Sequence, residues 1–189
     1  MPQARTLTKS QIKQVVEVTK SCSRYPLRDI SMLMMTHLCG LRVGEVATLK
    51  IDDVMDATGK VLDEITLSAQ VTKNNRARKV MLPRKMQRHL QEYIDAMARI
   101  PSHGYLFSTQ KQSHFTPNTA AQHIKRLYQR AGITGASSHS GRRTWLTTLS
   151  QKGVSVFVLA EMAGHRDLKH TARYVSVNDV VKRNAAELI

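Results

Sequence analysis

Helix start and stop signals recur along almost the whole chain, whereas a strand pattern occurs in one place. Thr8 and Gln11 have the spacing of a capping box, and Pro26 suits the first turn of a second helix. Between residues 65 and 72 apolar side chains alternate with polar ones, which indicates a half-buried strand. Residues 78–82 offer a return strand. The pattern therefore predicts a mainly α chain with a small antiparallel β-sheet, an α+β fold.

The ends of the expected helices are marked by glycine, because glycine is the preferred residue just after a helix. Gly40, Gly132, Gly153 and Gly164 all follow helical patterns. The expected helices are residues 8–20, 26–39, 43–49, 86–97, 117–131, 139–152 and 156–163, with a short tail helix at 178–188.

The chain carries an excess of positive charge that is concentrated in two regions. Its 189 residues have a formal net charge of +15. No aspartate or glutamate occurs between Asp95 and Glu161 or between Glu64 and Glu92, while lysine and arginine recur in both stretches. Such a distribution indicates nucleic acid as the partner, and a solvated basic surface is the simpler alternative.

The sequence predicts no membrane segment, metal site or disulfide. The most apolar run, residues 30–41, is too short to span a bilayer. Cys22 and Cys39 lack the spacing of metal ligands and are expected to be reduced. We therefore expect a cytoplasmic, nucleoid-associated protein of bacterial or mobile-element origin, with no cofactor, no metal and no membrane partner.

Five short segments contain side chains suited to phosphate chemistry: GLRVGE at 40–45, TKNNRARKV at 72–80, HSGRR at 139–143, AGH at 163–165 and TARYV at 171–175. Arginine offers a planar fork of donors to phosphate oxygens, and histidine and lysine can transfer protons. Tyrosine can attack phosphorus and hold it covalently. The candidate catalytic residues in these segments are Arg42, Lys73, His139, Arg142, His165 and Tyr174.

In this order, the segments resemble the boxes of the tyrosine recombinases, also called the phage-integrase family. The three-residue step from His139 to Arg142 and the nine-residue step from His165 to Tyr174 both match that family. The resemblance extends from about Leu7 to Tyr174. It implies the catalytic fold of that family and site-specific DNA recombination through a 3′-phosphotyrosyl intermediate, without a metal or ATP.

The resemblance also implies a role for each candidate. Arg42 and Arg142 would neutralise the non-bridging oxygens of the scissile phosphate. His139 would bind the phosphate or accept the proton of Tyr174, which would attack phosphorus. His165 would hydrogen-bond the phosphate and buttress the site.

Lys73 would be the general acid that protonates the departing 5′ oxygen, from the tip of the predicted hairpin. Arg76 and Lys79 are rival candidates, because the glycines that flank the family's lysine are replaced here; a lysine that only contacts phosphate is the simpler alternative. Glu45 is expected to orient the cations without touching substrate. The further DNA-binding candidates are Arg76, Arg78, Lys79, Lys125, Arg126 and Arg143.

The resemblance implies double-stranded DNA as the partner and a homotetramer on two synapsed sites, with a monomer in the absence of DNA. We expect residues 1–189 to form a single catalytic domain, with 175–189 as a C-terminal tail helix that docks on a neighbouring subunit or folds back on its own domain. The N-terminal core-binding domain of the family is expected to be absent. Two alternatives remain open: a non-recombining DNA-binding regulator on the same fold, and a type IB topoisomerase that relaxes DNA.

Overall fold

The chain folds into short helices and one small two-stranded sheet. The computed structural model describes residues 4–72, 76–97, 104–175, 182–183 and 186–187. Over these residues the predicted fold class, mainly α with a small antiparallel sheet, is confirmed. The elements are α1 (Lys9–Cys22), α2 (Pro26–Leu38), α3 (Val43–Thr48), α4 (Ile51–Val54), β1 (Glu64–Leu67), β2 (Arg78–Met81), α5 (Arg84–Asp95), α6 (Pro117–Arg130), α7 (Ser140–Gln151), α8 (Val156–Ala163) and α9 (Leu168–Ala172).

Several helices begin at the predicted caps. The Thr8 hydroxyl accepts a hydrogen bond from the Gln11 N–H at 3.2 Å, and Gln11 Oε1 accepts one from the Thr8 N–H at 3.0 Å, which completes the predicted capping box. Thr116 and Ser155 cap α6 and α8 in the simpler way, through one hydroxyl. In the described part of the chain, no helix combines the length and the apolar character needed to cross a bilayer.

The sheet is shorter than the alternating pattern predicted. β1 ends at Leu67, and a turn of 3₁₀ helix at Ala69–Val71 takes the place of the strand expected to reach residue 72. The two strands pair antiparallel, with Leu67 opposite Arg78. The alternating pattern indicates which side chains face the core, but residues form a strand only where a second strand pairs with them. Because β2 begins only at Arg78, the pairing ends at Leu67.

α2 forms the centre of the core. Its residues from Asp29 to His37 are all buried, and it contacts α1, α3, α5, α6 and α7. Met32, Leu33 and Met35 are inaccessible to solvent. Burying one such side chain stabilises the fold by about 1.5–3 kcal/mol, so α2 supplies much of the free energy that holds the helices together.

α7 lies so close to α2 that one position on it admits no side chain. A Cβ atom built on Gly141 would overlap the Thr36 hydroxyl and lie 2.8 Å from Thr36 Cβ. Any larger residue would push the start of α7 away from α2. Because Gly141 lies between His139 and Arg142, this close approach determines where those two side chains begin.

A buried polar contact joins α2 to α6. His37 Nε2 and the Tyr128 hydroxyl are 2.8 Å apart, and both side chains are buried. The neighbouring Thr36 hydroxyl donates to the Leu33 carbonyl oxygen at 2.7 Å. Burial lowers the pKa of His37 to about 4 and raises the pKa of Tyr128. Both groups are therefore uncharged at neutral pH.

We expect the free energy of unfolding to fall as the pH is lowered from about 6.5 to about 4. His37 takes up a proton below pH 6.5 in the unfolded chain but only near pH 4 in the folded protein, so acid favours the unfolded state throughout this window. The full effect of a shift of this size is roughly 3 kcal/mol. Urea unfolding followed at a series of pH values measures it.

His37→Gln is the matched variant, because glutamine can donate to Tyr128 but does not titrate. The variant should lose the share of this acid sensitivity that comes from His37, while the share from His165, whose pKa is also lowered to about 4, should remain. If its free energy of unfolding falls with pH as steeply as that of the wild-type protein, the sensitivity belongs to other groups and His37 is not its source.

Candidate active site

The ends of several helices meet where the sequence predicted a site. Arg42 and His139 directly precede α3 and α7, and Arg142 lies in the first turn of α7. His165 follows the end of α8, and Tyr174 follows α9. All five line one open groove of about 1210 Å³. The fold thus brings together five residues that are spread over the whole length of the chain.

A buried carboxylate holds two arginines at this groove. Glu45, which is 2% exposed, accepts hydrogen bonds from Arg42 Nη1 at 2.9 Å and from the Arg42 backbone N–H at 2.7 Å. Arg78 Nη1 and Nη2 donate to its two oxygens at 2.7 and 2.9 Å. Burial alone raises the pKa of Glu45, but Arg78 and then Arg42 outweigh burial and hold it below its ordinary value. Glu45 is therefore ionised and orients Arg42.

The side chain of Arg78 is buried, whereas the sequence predicted it to be among the DNA contacts. Its side chain is 7% exposed, and its charge is paired with Glu45. Gly164 lies directly beside this side chain and has a φ of +63°. A Cβ atom added at Gly164 would lie 2.8 Å from Arg78 Cδ, so the position favours glycine for both reasons. An arginine in a basic hairpin is usually exposed, and its contact with a carboxylate 33 residues earlier has no local sequence signature.

Arg78→Lys should destabilise the protein although it preserves the charge. Lysine cannot donate two parallel hydrogen bonds to a carboxylate, so one oxygen of Glu45 would lose its partner. Leaving a buried acceptor unpaired costs about 1–3 kcal/mol. Urea unfolding of Arg78→Lys, Glu45→Gln and the double variant measures both the cost and the coupling between the two residues.

The neighbouring ion pair between Lys79 and Glu64 provides the control. It spans 2.6 Å but is exposed on both sides. Lys79→Ala should therefore change the free energy of unfolding by less than about 1 kcal/mol. Strictly additive effects of Arg78→Lys and Glu45→Gln would contradict the clamp inferred from the geometry.

The guanidinium of Arg142 is buried and held by uncharged acceptors. Nη1 donates to the Gly40 carbonyl oxygen at 2.6 Å, and Nη2 donates to the Ala163 carbonyl oxygen at 2.5 Å and to His165 Nε2 at 3.0 Å. Within the described residues these contacts use three of the five N–H donors of the group, so two are left for a ligand. Burial, and then the charge of Arg42, lowers the pKa of Arg142 to about 9. Arg142 is still a cation at neutral pH.

His165 is neutral, and its partners determine its tautomer. Because Arg142 can only donate, Nε2 must be the acceptor and the ring proton must be on Nδ1. Nδ1 then donates to the Thr171 hydroxyl at 2.7 Å. Burial, followed by the charges of Arg142 and Arg42, lowers the pKa of His165 to about 4. The ring lies at 24° to that of Tyr174, with the two centroids 6.4 Å apart.

His139 and Tyr174 are more accessible than the arginine cluster. His139 is exposed, and its backbone N–H donates to Ser137 Oγ at 3.3 Å. Tyr174 is half-buried against a small apolar cluster between α7 and α8, and its backbone N–H donates to the Thr171 carbonyl oxygen at 2.9 Å. The groove therefore presents a histidine and a phenol beside two arginines, which suits nucleophilic attack on an anionic phosphate.

Lys73 lies outside the described residues, so its assignment stays a prediction. The residues on either side are close to the site. The Thr72 hydroxyl accepts from the Arg76 N–H at 3.1 Å and is 2.8 Å from the Arg76 carbonyl oxygen. Thr72 and Arg76 line a cavity of about 290 Å³ together with Arg42 and His165. The loop between β1 and β2 thus approaches the arginine cluster.

Four of the other predicted DNA contacts lie on the surface. Arg76, Lys125 and Arg126 are exposed, and Lys125 lines the large groove. Lys79 is also exposed, but it forms an ion pair with Glu64, which raises the pKa of Lys79 and neutralises its charge. Arg76, Lys125 and Arg126 thus remain the better candidates for contacts with phosphates.

Arg143 has a partner that the sequence did not suggest. Its side chain is half-buried, and Nη1 donates to the Ala4 carbonyl oxygen at 2.7 Å. Arg5 makes a similar contact, from its Nη1 to the Thr134 carbonyl oxygen at 3.1 Å. These two hydrogen bonds hold the residues before α1 along one edge of the groove, and Arg143 makes one of them.

Three groups that hold the site together are absent from the predicted set. Two are the carbonyl oxygens of Gly40 and Ala163, and main-chain atoms leave no mark on a sequence. The third is the Thr171 hydroxyl. Its spacing from Tyr174 is visible in the sequence, but its contact with His165 depends on the turn into α9, which the sequence did not predict.

The model of the phage integrase family matches residues 5–180. The chain belongs to this family. A tyrosine recombinase of Pseudothermotoga lettingae is 31% identical over 180 residues, which are 95% of this chain and 58% of the relative. The tyrosine recombinase XerA of Pyrococcus furiosus is 24% identical and covers 97% of this chain and 61% of its own length. The chain thus spans about three fifths of the length of these relatives.

Solved structures share the fold. A crystal structure of XerA recombinase superposes with a TM-score of 0.76 at 24% identity and covers 100% of this chain and 65% of that chain. The catalytic domain of bacteriophage HP1 integrase superposes with a TM-score of 0.64 at 23% identity, over 91% of this chain and 87% of that one. The tyrosine recombinase catalytic fold implied by the sequence boxes is confirmed.

Proposed function

We propose that this domain cleaves and rejoins DNA strands at specific sites by transferring a phosphodiester to Tyr174 and back. The observation that carries the proposal is the groove in which a tyrosine, two arginines and two histidines converge. The relatives named as tyrosine recombinases support it.

Cleavage begins when the Tyr174 oxygen attacks phosphorus. A bond forms between the phenol oxygen and phosphorus, the bond to the 5′ oxygen breaks, and a 3′-phosphotyrosyl linkage results. His139, exposed at the same groove, accepts the phenol proton. Arg42 and the two free donors of Arg142 neutralise the non-bridging oxygens, where negative charge grows in the transition state.

His165 changes its protonation state when the phosphate binds. In the free protein the nearby charges of Arg142 and Arg42 help to keep its pKa near 4. A bound phosphate offsets those charges, so the pKa of His165 rises and Nε2 can gain a proton. The ring then donates to the phosphate from Nε2 while Nδ1 keeps its bond to Thr171.

The departing 5′ oxygen needs a proton, and Lys73 is the residue we assign to deliver it. Rejoining reverses the sequence: a 5′-hydroxyl attacks the phosphotyrosine, and Tyr174 leaves with its proton restored. Because the covalent linkage conserves the energy of the broken bond, strand exchange needs no nucleotide cofactor.

Double-stranded DNA is the proposed substrate. XerH site-specific recombinase bound to its difH substrate superposes with a TM-score of 0.72 at 22% identity. The Tn1549 transposon integrase in complex with a circular intermediate DNA superposes with a TM-score of 0.78 at 18% identity. In this chain Arg5, Lys125 and Arg173 line the groove beside the arginine cluster, where they can contact backbone phosphates on either side of the cleaved one.

Tyr174→Phe should bind DNA with unchanged affinity and form no covalent adduct, because only the nucleophilic oxygen is removed. The measurement is a denaturing gel after incubation with nicked duplexes taken from the DNA that flanks the gene. Tyr25→Phe is the control, since Tyr25 is exposed at the start of α2 and should be dispensable.

A denaturant-resistant band from Tyr174→Phe would show that another residue is the nucleophile. Relaxation of any supercoiled plasmid, without a preferred site, would assign the chemistry to a topoisomerase. Binding without cleavage by the wild-type protein would favour the DNA-binding regulator.

We propose further that strand exchange takes place in a homotetramer and that residues 175–189 dock between subunits. Most of this tail lies outside the described residues, and the supporting observation is its sequence. A short amphipathic helix is marginal alone and needs a surface to pack on. The apolar positions are Val177, Val180, Val181, Ala185 and Leu188.

Deletion of residues 178–189 should spare folding of the monomer and impair the pairing of two DNA sites, while strand cleavage persists. Thermal unfolding measures the first property, and co-capture of two differently labelled duplexes measures the second. Unfolding of the truncated monomer would instead place the tail on its own domain. Unchanged recombination would reject the proposal.

A further inference from the structure

Thr171 is hydrogen-bonded to two of the proposed catalytic residues at once. Its hydroxyl lies 2.7 Å from His165 Nδ1, and its carbonyl oxygen accepts from the Tyr174 backbone N–H at 2.9 Å. The residue is completely buried. Thr171 therefore connects His165 to the turn that carries Tyr174.

We infer that Thr171 is a positioning residue that fixes the orientation of the His165 ring through Nδ1 and so keeps Nε2 directed first at Arg142 and then at the phosphate. This inference rests on the proposed function. Thr171 itself touches no reacting atom. It acts through His165, and its carbonyl oxygen places Tyr174 relative to the same ring.

Thr171 and Arg142 hold the His165 ring through its two different nitrogens. Arg142 Nη2 donates to Nε2 at 3.0 Å, so the ring proton is on Nδ1. The Thr171 hydroxyl is the acceptor for this proton, at 2.7 Å. Without the hydroxyl, Arg142 still keeps the proton on Nδ1, but the buried N–H has no partner and the ring loses one of its two hydrogen bonds.

The hydroxyl is not required to hold α9 together. The helix has its own cap, since Asp167 Oδ1 accepts from the Lys169 N–H at 2.8 Å. The backbone bond between Thr171 and Tyr174 also survives any change of side chain at position 171. Removing the hydroxyl therefore separates an effect on His165 from a loss of the turn.

The first test is spectroscopic and needs no DNA. In ¹⁵N NMR at neutral pH, the wild-type protein should show His165 with a protonated Nδ1 and an unprotonated Nε2. Thr171→Val, which keeps the branched shape, should keep this tautomer but lose the hydrogen bond of Nδ1–H, so that the Nδ1 proton resonance moves upfield and the proton exchanges faster with water. Thr171→Ser should restore the wild-type resonance. If Thr171→Val does not fold, Thr171→Ala removes the same hydroxyl and should give the same change.

Thr19→Val is the matched control. Thr19 is also buried, its hydroxyl has no hydrogen-bond partner within the described residues, and it lies on α1. The control should leave the His165 Nδ1 proton resonance unchanged. It should also leave the cleavage rate unchanged, which separates the effect of position 171 from the general effect of replacing a buried threonine with valine.

The second test is single-turnover cleavage of nicked DNA. Thr171→Val should slow the covalent step about tenfold while DNA affinity stays within about twofold, because the residue acts on positioning and not on binding. Thr171→Ser should recover most of the rate. The inference is overturned if Thr171→Val keeps the wild-type Nδ1 proton resonance, or if its lower rate matches only its lower folded fraction. If the wild-type protein forms no adduct, the proposed function fails, and the change in the Nδ1 proton resonance alone decides the role of Thr171.

Discussion

Three guanidinium groups repel one another at the centre of this domain, and the buried carboxylate of Glu45 lets two of them lie side by side. Arg42 and Arg78 both lower the pKa of Arg142, which shows that the three groups share one electrostatic environment. Glu45 offsets one positive charge, and its carboxylate accepts hydrogen bonds from Arg42 and Arg78. This cluster forms only when the start of α3, the start of β2 and the turn after α8 are all in place. The site therefore depends on several parts of the fold that are distant in sequence.

Arg42 and the nucleophile are supported by different parts of the core. Arg42 adjoins the main core, where α2 is buried almost throughout and α3 packs beside it. Tyr174 packs on the small cluster formed by α7 and α8, which has few buried side chains. Segments with fewer buried contacts open at a lower free energy. We therefore expect the segment that carries Tyr174 to open at a lower free energy than the segment that carries Arg42.

Most of the fold and much of the site could be predicted, and the failures have a common cause. Caps, glycine stops and periodicity act over a few residues, so α1, α6 and α8 begin at the predicted residues. Motif spacing placed His139 and Arg142 together because a single helix start carries both. The length of β1, the burial of Arg78 and the partner of Thr171 each depend on a group distant in sequence. No pattern within the segment could reveal them.

Arg142 and Arg78 differ in whether a carboxylate neutralises the charge of the guanidinium group. Arg78 is matched by a carboxylate, whereas Arg142 is held by two main-chain carbonyl oxygens, that of Ala163, the last residue of α8, and that of Gly40, two residues after the end of α2. A helix C-terminus carries a partial negative charge of about half an electron, so the end of α8 can hold a buried cation without cancelling its charge. The formal charge is thus preserved for an incoming anion. Because these acceptors are main-chain atoms, side-chain replacements cannot remove them, and only a change in where those helices end would release the guanidinium.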